Sequence, residues 1–223
     1  MFIHSTVLLL VGLTPASKLK NLILRLLGMV VPASAKVHPI VLLSSKLILD
    51  ENCRLAPLSV FRKITLQMGK NSGIGSWNWA SSAPKLAHLQ PEHAGKLVLG
   101  QNSAITMRHY LDCSGGLILG DFVTVAGVRS TFLTHQIDVV MNQQTASPVR
   151  IGSYALVSSN CSVVAGATIG EACLVGMGTV VLGKKYPDGV LLVGNPARVV
   201  REQSGDYFTR TEGAVSPPEK GAA

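Results

Sequence analysis

The sequence predicts an all-β fold, a parallel β-helix built of six-residue repeats, and three observations carry that expectation. Apolar residues make up 47% of the 223 residues, aromatics only 5%, and 22 are glycine, which suits many short strands with tight corners better than packed helices. An aliphatic residue recurs at every sixth position through Ile151, Val157, Val163, Ile169, Val175 and Val181. A small residue stands four places after each of the first five: Ala155, Cys161, Ala167, Cys173 and Thr179. Helices repeat every ~3.6 residues and ordinary strands every ~2, so neither explains this period.

A triangular coil does. Three short strands, each six residues long with its corner, close an eighteen-residue turn, so Ile151 should stack on Ile169, Val157 on Val175 and Val163 on Val181. Each coil then buries its apolar side chains against the next one. Gly152, Gly170 and Gly176 directly follow the repeated aliphatics, where corners are tight.

Three segments follow along the chain. Residues 1–30 precede the repeats. Residues 7–13 are apolar but too few to span a bilayer, and no Lys or Arg precedes them, which argues against a transmembrane helix or a signal peptide. Thr14-Pro15 reads as a cap and first turn. Leu19, Leu22, Ile23, Leu26 and Leu27 then recur at helical spacing, with Lys18, Lys20 and Arg25 opposite. This basic amphipathic helix should pack on its own domain or a neighbouring subunit; the alternative is a peripheral contact with a membrane.

Residues 31–202 carry the repeats. The period runs through Val31, Val37, Leu43, Leu49, Leu55 and Phe61, then Leu99, Ile105 and Leu111, then Leu119, Val125 and Thr131. Slips near residues 64–70, 77–96, 114–116 and 136–149 mark excursions, which in solenoids often carry function. Residues 203–223 are polar, contain Pro217-Pro218, and read as a flexible appendage.

Cys53, Cys113, Cys161 and Cys173 form neither a CxxC pair nor a Cys/His metal spacing, so the expectation is buried thiols in a reducing compartment and no metal. The net charge is +8. With only 14% charged residues and no basic run interleaved with aromatics, a polyphosphorylated ligand or an anionic surface explains it better than nucleic acid.

Three stretches carry a resemblance: Ile151-Gly-Ser-Tyr-Ala-Leu-Val-Ser158, Thr168-Ile-Gly-Glu-Ala-Cys-Leu-Val-Gly-Met-Gly-Thr-Val-Val181, and Gly194-Asn-Pro-Ala-Arg-Val-Val200. They resemble the closing coils and terminal motif of the hexapeptide-repeat acyltransferases, whose fold is a left-handed parallel β-helix. Within that superfamily the chain is most similar to galactoside and maltose acetyltransferases and to bacterial polysaccharide O-acetyltransferases. The resemblance is most specific over residues 111–202.

The resemblance implies acetyl-CoA-dependent transfer to a saccharide hydroxyl in a cytoplasmic homotrimer whose active sites lie between subunits. It makes His135, just before an excursion and an Ile-Gly coil, the general base. An imidazole with pKa near ~6.5 suits removal of an alcohol proton during attack on a thioester. His109 is a second candidate. The related enzymes carry an acceptor-orienting Asn where this chain has Ile105, Thr106 or Met107, so Arg108, His109 or Asp112, or else another subunit, would have to supply that group. Trp77 and Trp79 would offer rings for a sugar to stack on.

Backbone N–H groups around residues 151–155, Ala155 among them, are candidate oxyanion donors beside the cofactor. Gly176, Gly178, Gly194 and Asn195 would flank the pantetheine arm of acetyl-CoA, and Lys184, Lys185, Arg198 and Arg201 its phosphates. Competing readings are an N-acetyltransferase on an amino sugar, a serine acetyltransferase, a non-enzymatic β-helix scaffold, and a γ-type carbonic anhydrase. The last needs a second histidine close after His135, and Val140 and its neighbours supply none.

Overall fold

The computed structural model describes residues 2–213, with side chains from residue 5 onward. The chain winds as a left-handed parallel β-helix of triangular section. Face 1 is a nine-stranded sheet running from Lys36–Val37 to Val190–Val193 and the closing strand Arg198–Glu202. Face 2 has seven strands, from Val41–Leu43 to Val180–Val181. Face 3 has six, from Lys46–Leu49 to Thr168–Ile169.

The stacking expected from the period is present. Ile151 pairs with Ile169, Val157 with Val175 and Val163 with Val181, all in parallel register. These side chains are 2% exposed or less, and so are Ala155, Cys161, Ala167, Cys173 and Thr179. Truncating one such core aliphatic to alanine costs ~2 kcal/mol or more, because neighbouring coils cannot collapse into the gap. At Gly152 an added Cβ would lie 2.5 Å from the Glu171 amide nitrogen, so the successive coils approach too closely there for any other residue.

Two inward positions differ from the expected period. Leu42 and Phe132 fill the core, whereas Leu43 and Thr131 are half-buried. Lys36 pairs with Arg54 eighteen residues on, so the lowest coil keeps the period overall, but Leu42 follows Val37 by five residues and precedes Leu49 by seven, which moves the inward position on face 2 by one. A bulge at Met107 opposite Val128 does the same for Phe132. The slip at residues 64–70 is therefore no excursion: Thr65–Met68 is a regular face 3 strand. Nor do the tryptophans ride on the next excursion, which runs only over residues 82–95 and contains the 3₁₀ turn Pro84–Leu89. Trp77 turns a corner, and Trp79 lies in the face 2 strand Trp79–Ser81.

Two helices close the lower end, α1 (Phe2–Gly12) and α2 (Lys18–Leu26). The cap of α2 is Ser17, whose Oγ accepts from Lys20 N at 3.0 Å, so Thr14-Pro15 lies in the preceding turn. The expected orientation of α2 holds in part: Lys18 and Arg25 are exposed and Ile23 and Leu27 half-buried. Lys20, Asn21 and Leu24 face inward, while Leu19, Leu22 and Leu26 are 65%, 45% and 79% exposed. The cause is hydrogen-bond satisfaction. Lys20 Nζ donates to the carbonyls of Gly12, Thr14 and His38 at 2.8, 2.9 and 3.0 Å, and Asn21 Nδ2 to those of Pro32 and Ala35. Carbonyls cluster around the lower end of the solenoid, and these side chains supply donors to them, Gly12 O and Pro32 O accepting also from Ile40 N and Ala35 N. Burial lowers the Lys20 amine to about 8.

At the upper end the strand Arg198–Glu202 pairs antiparallel with Val190–Val193. Residues 203–213 then fold back along the prism. The Arg210 guanidinium lies 4.0 Å from the Tyr207 ring and 5.8 and 5.9 Å from those of Phe122 and Tyr154, which stack on each other. The rest of the expected appendage, residues 214–223, lies outside the described residues.

Candidate functional site

Two excursions leave the prism at the corner between faces 2 and 3. One spans residues 82–95. The other is the antiparallel hairpin of His135–Asp138 with Gln143–Ala146. They touch: Gln90 Nε2 donates to Ala146 O at 3.1 Å, and Arg150 Nη2 donates to His93 Nε2 at 2.7 Å. The hairpin ends in exposed Val139, Val140 and Met141.

His135 opens the hairpin at its base. Its Nδ1 lies 2.8 Å from Asp112 Oδ2, on the coil below. Asp112 is the most densely bonded side chain of this corner. Oδ2 also accepts from Thr134 N at 2.7 Å and lies 2.9 Å from Thr134 Oγ1. Oδ1 accepts from Ser114 N at 3.1 Å and Ser114 Oγ at 2.6 Å. Burial alone would raise the Asp112 pKa; the hydrogen bonds from Ser114, Thr134 and His135 outweigh it and hold the carboxyl below its ordinary value.

This geometry fixes the ring chemistry. A carboxylate only accepts, so Nδ1 carries the proton it donates, and Nε2 keeps its lone pair. The His135 side chain is 36% exposed against 5% for Asp112. The arrangement can accept a proton at Nε2 and stabilise the resulting imidazolium. Asp112 thus supports His135 instead of orienting an acceptor directly. Thr134 and Ser114, which the sequence did not single out, lock it; the faint signal was a hydroxyl residue flanking each of the two.

His109 is not at the surface. It is 2% exposed, its Nδ1 accepts from Ser130 N at 3.1 Å and its Nε2 lies 3.1 Å from Thr106 Oγ1. Burial pushes it down to about 4. It is a neutral core histidine tying together two turns of the corner between faces 1 and 2. Arg108 stands exposed on that corner, and Trp77 and Trp79 are 57% and 44% exposed on the corner and on face 2.

Residues 151–155 turn the corner between faces 3 and 1, away from His135. Ala155 is fully buried and its N–H bonds to Gly152 O, so it offers neither a surface nor an oxyanion donor. The terminal motif bonds to the strand that follows Gly178, Val180 N donating to Gly194 O and Ala197 N to Val180 O, while Gly176 N donates to Leu192 O and Gly178 N to Ser159 O. The four basic residues do not cluster. Lys184 and Lys185 sit at the corner between faces 2 and 3, with Lys184 over the Tyr186 ring, while Arg198 and Arg201 lie on the closing strand of face 1.

A cavity of about 810 Å³ opens lower on the 2–3 corner, between α1 and the excursion of residues 82–95, lined in part by Leu8, Lys46, Lys63 and Ser114. His135 is not in its wall. Among the described residues no group of three or more His, Cys, Asp or Glu could hold a metal ion.

No family model matches the chain. It is 40% identical over 68 residues to "Putative acetyltransferase SACOL2570" of Staphylococcus aureus and 31% identical over 77 residues to "Putative acetyltransferase YvoF" of Bacillus subtilis. These stretches cover 30% and 34% of this chain, and the chain spans only 34% and 43% of those relatives' lengths. Among solved structures, the polySia-specific acetyltransferase NeuO superposes with a TM-score of 0.55 at 18% identity, covering 85% of this chain and 83% of its own. AntD, an N-acyltransferase from Bacillus cereus in complex with dTDP and 3-hydroxybutyryl-CoA, gives 0.51 at 15%, covering 74% and 83%. The hexapeptide-repeat acetyltransferase VCA0836 from Vibrio cholerae gives 0.51 at 20%, covering 62% and 74%. The chain therefore shares a stretch of sequence with acetyltransferase-named proteins, and the fold of the hexapeptide-repeat acyltransferases, the superfamily its own repeats resemble.

Proposed function

We propose that this chain is an acyl-CoA-dependent O-acyltransferase that moves an acetyl group to a saccharide hydroxyl, with His135 as general base. One observation carries the reading: a half-exposed imidazole whose Nδ1 is held by a buried carboxylate at 2.8 Å, at the base of a hairpin on this fold. The 3-hydroxybutyryl-CoA in the AntD complex supports an acyl-CoA as donor. The acetyltransferase names of the relatives and of NeuO support acetyl as the group transferred.

In this reaction His135 Nε2 takes the acceptor hydroxyl proton as the hydroxyl oxygen bonds to the thioester carbonyl carbon. The tetrahedral intermediate collapses, the C–S bond breaks, and the proton passes from His135 to the leaving thiolate, giving ester and free thiol. Asp112 does not take the proton; it holds the ring and stabilises the imidazolium.

The exposed apolar hairpin tip, residues 139–141, supports a homotrimer in which each hairpin packs on a neighbour and completes its site. Gly176, Gly178 and Asn195 are the residues proposed to flank the pantetheine arm. For localisation the proposal is cytoplasmic, with the exposed leucines of α2 available for peripheral contact at the inner membrane face. No helix among the described residues is long and apolar enough to cross a membrane.

The test is thiol release from acetyl-CoA with a panel of free sugars, nucleotide sugars, oligosaccharides, amino sugars and serine. Release with a hydroxyl sugar supports the proposal. Release confined to amino sugars or serine replaces the acceptor and leaves acyl transfer standing; no coenzyme A binding at all favours a scaffold. His135→Ala should remain folded and lose ~10²-fold or more in turnover.

A further inference from the structure

We infer that face 2 binds the acceptor as an anionic oligosaccharide, lying from the corner between faces 1 and 2 across to His135. The inference rests on the acyl-transfer reading and adds the acceptor's chemical class and its binding surface.

The register places the surface. Trp79 pairs with Tyr110, and Ser81 with Asp112. Leu111 points into the core, so by strand alternation Tyr110 and Asp112 share the outer face, about 7 Å apart. Trp79 and Tyr110, each 44% exposed, thus form an aromatic step beside the carboxylate that holds His135. Arg62 lies in the same row as Ser81 and Asp112, two coils below Asp112. From Arg108 to Asp112 the face is four residues wide, about 13 Å, which is the span of a short oligosaccharide.

Charge is segregated around the prism. Asp50, Glu51, Asp121, Glu171 and Asp188 all sit at the corner between faces 3 and 1. Among the described residues, face 2 and the corner leading into it hold no acid except Asp112, yet carry Arg62, Arg108 and Arg129. None of these arginines has a side-chain hydrogen bond or an ion pair among the described residues. Unpaired guanidiniums beside exposed rings fit a sugar bearing carboxylate or phosphate groups.

Backbone conformation points the same way. Above the lowest coil, the corner between faces 1 and 2 holds a left-handed residue in each turn, Asn160 and Gly178 in the upper coils at φ of 57° and 75°. Below them stand Arg129, Arg108, Trp77 and Leu58, at 63°, 58°, 62° and 68°. Large side chains are disfavoured in this conformation. At the opposite corner, Phe122 and Tyr154 also adopt it, but they stack on one another under Arg210. Among the described residues Trp77, Arg108 and Arg129 have no such ring contact, which leaves their side chains free to meet something outside the chain.

Trp77 and Trp79 are the only two tryptophans, which gives a direct readout. The full-length protein, without acyl-CoA, is titrated with tetragalacturonate, a phosphorylated oligosaccharide and neutral maltotetraose while tryptophan emission is followed. The expected result is quenching by an anionic probe, weakened severalfold between about 0.05 and 0.3 M salt, and none by maltotetraose at equal concentration. Arg108→Asn and Arg129→Asn, which suit the left-handed position, should each weaken anionic binding about fivefold or more, with a melting temperature equal to or above that of the parent and unchanged stabilisation by acetyl-CoA.

Equal response to the neutral probe, or none to either anionic probe, overturns the inference. So do variants that weaken acetyl-CoA binding instead, or an emission maximum of buried indole showing that a second copy covers face 2. Acyl transfer to neutral sugars without anionic preference would sink this inference alone. Anionic binding without any transfer would sink the acyl-transfer reading and leave the surface standing.

Discussion

Asp112 Oδ2 lies 2.8 Å from His135 Nδ1 across two successive coils, and the two side chains differ sharply in exposure, 5% against 36%. The buried partner can only accept, so the exposed partner is left with one tautomer and one free nitrogen. The parallel stacking does the positioning, because Asp112 ends a face 2 strand and His135 begins the hairpin one coil above.

Asp112→Asn tests that relationship. The amide would present either an oxygen or an NH₂ to Nδ1, and the second choice reverses the tautomer and blocks Nε2. We expect turnover to fall by ~10²-fold or more with KM for both substrates within about threefold, as the carboxylate touches neither. A purely structural role would instead lower stability and leave the pH–rate profile of the folded fraction unchanged.

His109 sets an acid limit on stability. Its folded pKa, lowered by burial to about 4, lies below the unfolded value of ~6.5. Between these values the unfolded chain binds more protons, so stability is complete above ~6.5 and is lost as pH falls towards 4, by about 3 kcal/mol in all. Asp112, also held low, adds its own loss only below the ordinary carboxylate range. Urea midpoints measured from pH 7 to 4 should fall in this window, and in His109→Gln, weaker at pH 7, they should fall less. A parallel decline in both proteins would assign the acid sensitivity elsewhere.

The fold was legible because a solenoid writes its geometry into one period: the aliphatics from Ile151 to Val181 repeat without a break and stack as that period demands. Legibility failed where coils changed length. Leu43 and Thr131 held the expected phase, but a corner one residue short before Leu42 and a bulge before Phe132 passed their places to those two residues. At the proposed site, His135 was singled out through the resemblance by its place before an excursion, and the structure puts it at the base of the hairpin beside Asp112, whereas Asp112 and His109 could not be ranked on residue type alone. Which of the two met His135 and which entered the core depends on strand phase, which residue type does not encode. The burial of Lys20 on α2 was hidden for a related reason, since periodicity ranks leucines for burial and cannot see the carbonyls that converge on Lys20.

Lys20→Met tests that burial. Methionine keeps the apolar stem and removes the ammonium, leaving the carbonyls of Gly12, Thr14 and His38 without this donor. The expected loss is about 2–4 kcal/mol, read as faster hydrogen exchange over residues 5–40 with the upper coils unaffected. If α2 instead packed through its leucines, Leu19→Ser and Leu22→Ser would be the damaging changes; at 65% and 45% exposure they should shift stability by less than about 0.5 kcal/mol.

The last prediction concerns the returning C-terminal segment. Arg210 lies 4.0 Å from the Tyr207 ring, donates to Tyr207 O at 2.7 Å and to Phe122 O, and covers the Phe122–Tyr154 stack. One side chain therefore joins residues 207–210 to two successive coils of the prism. Its removal should cost about 1–2 kcal/mol through lost cation–π and carbonyl contacts, or a few degrees in melting temperature. Arg210→Lys should recover only part of this, because an ammonium cannot lie flat on the rings while reaching both carbonyls. Truncation after residue 205 should match Arg210→Ala, while truncation after residue 213 should leave the melting temperature close to that of the full chain. A large loss from the second truncation, or none from the first, would show that residues 203–213 are not held through Arg210.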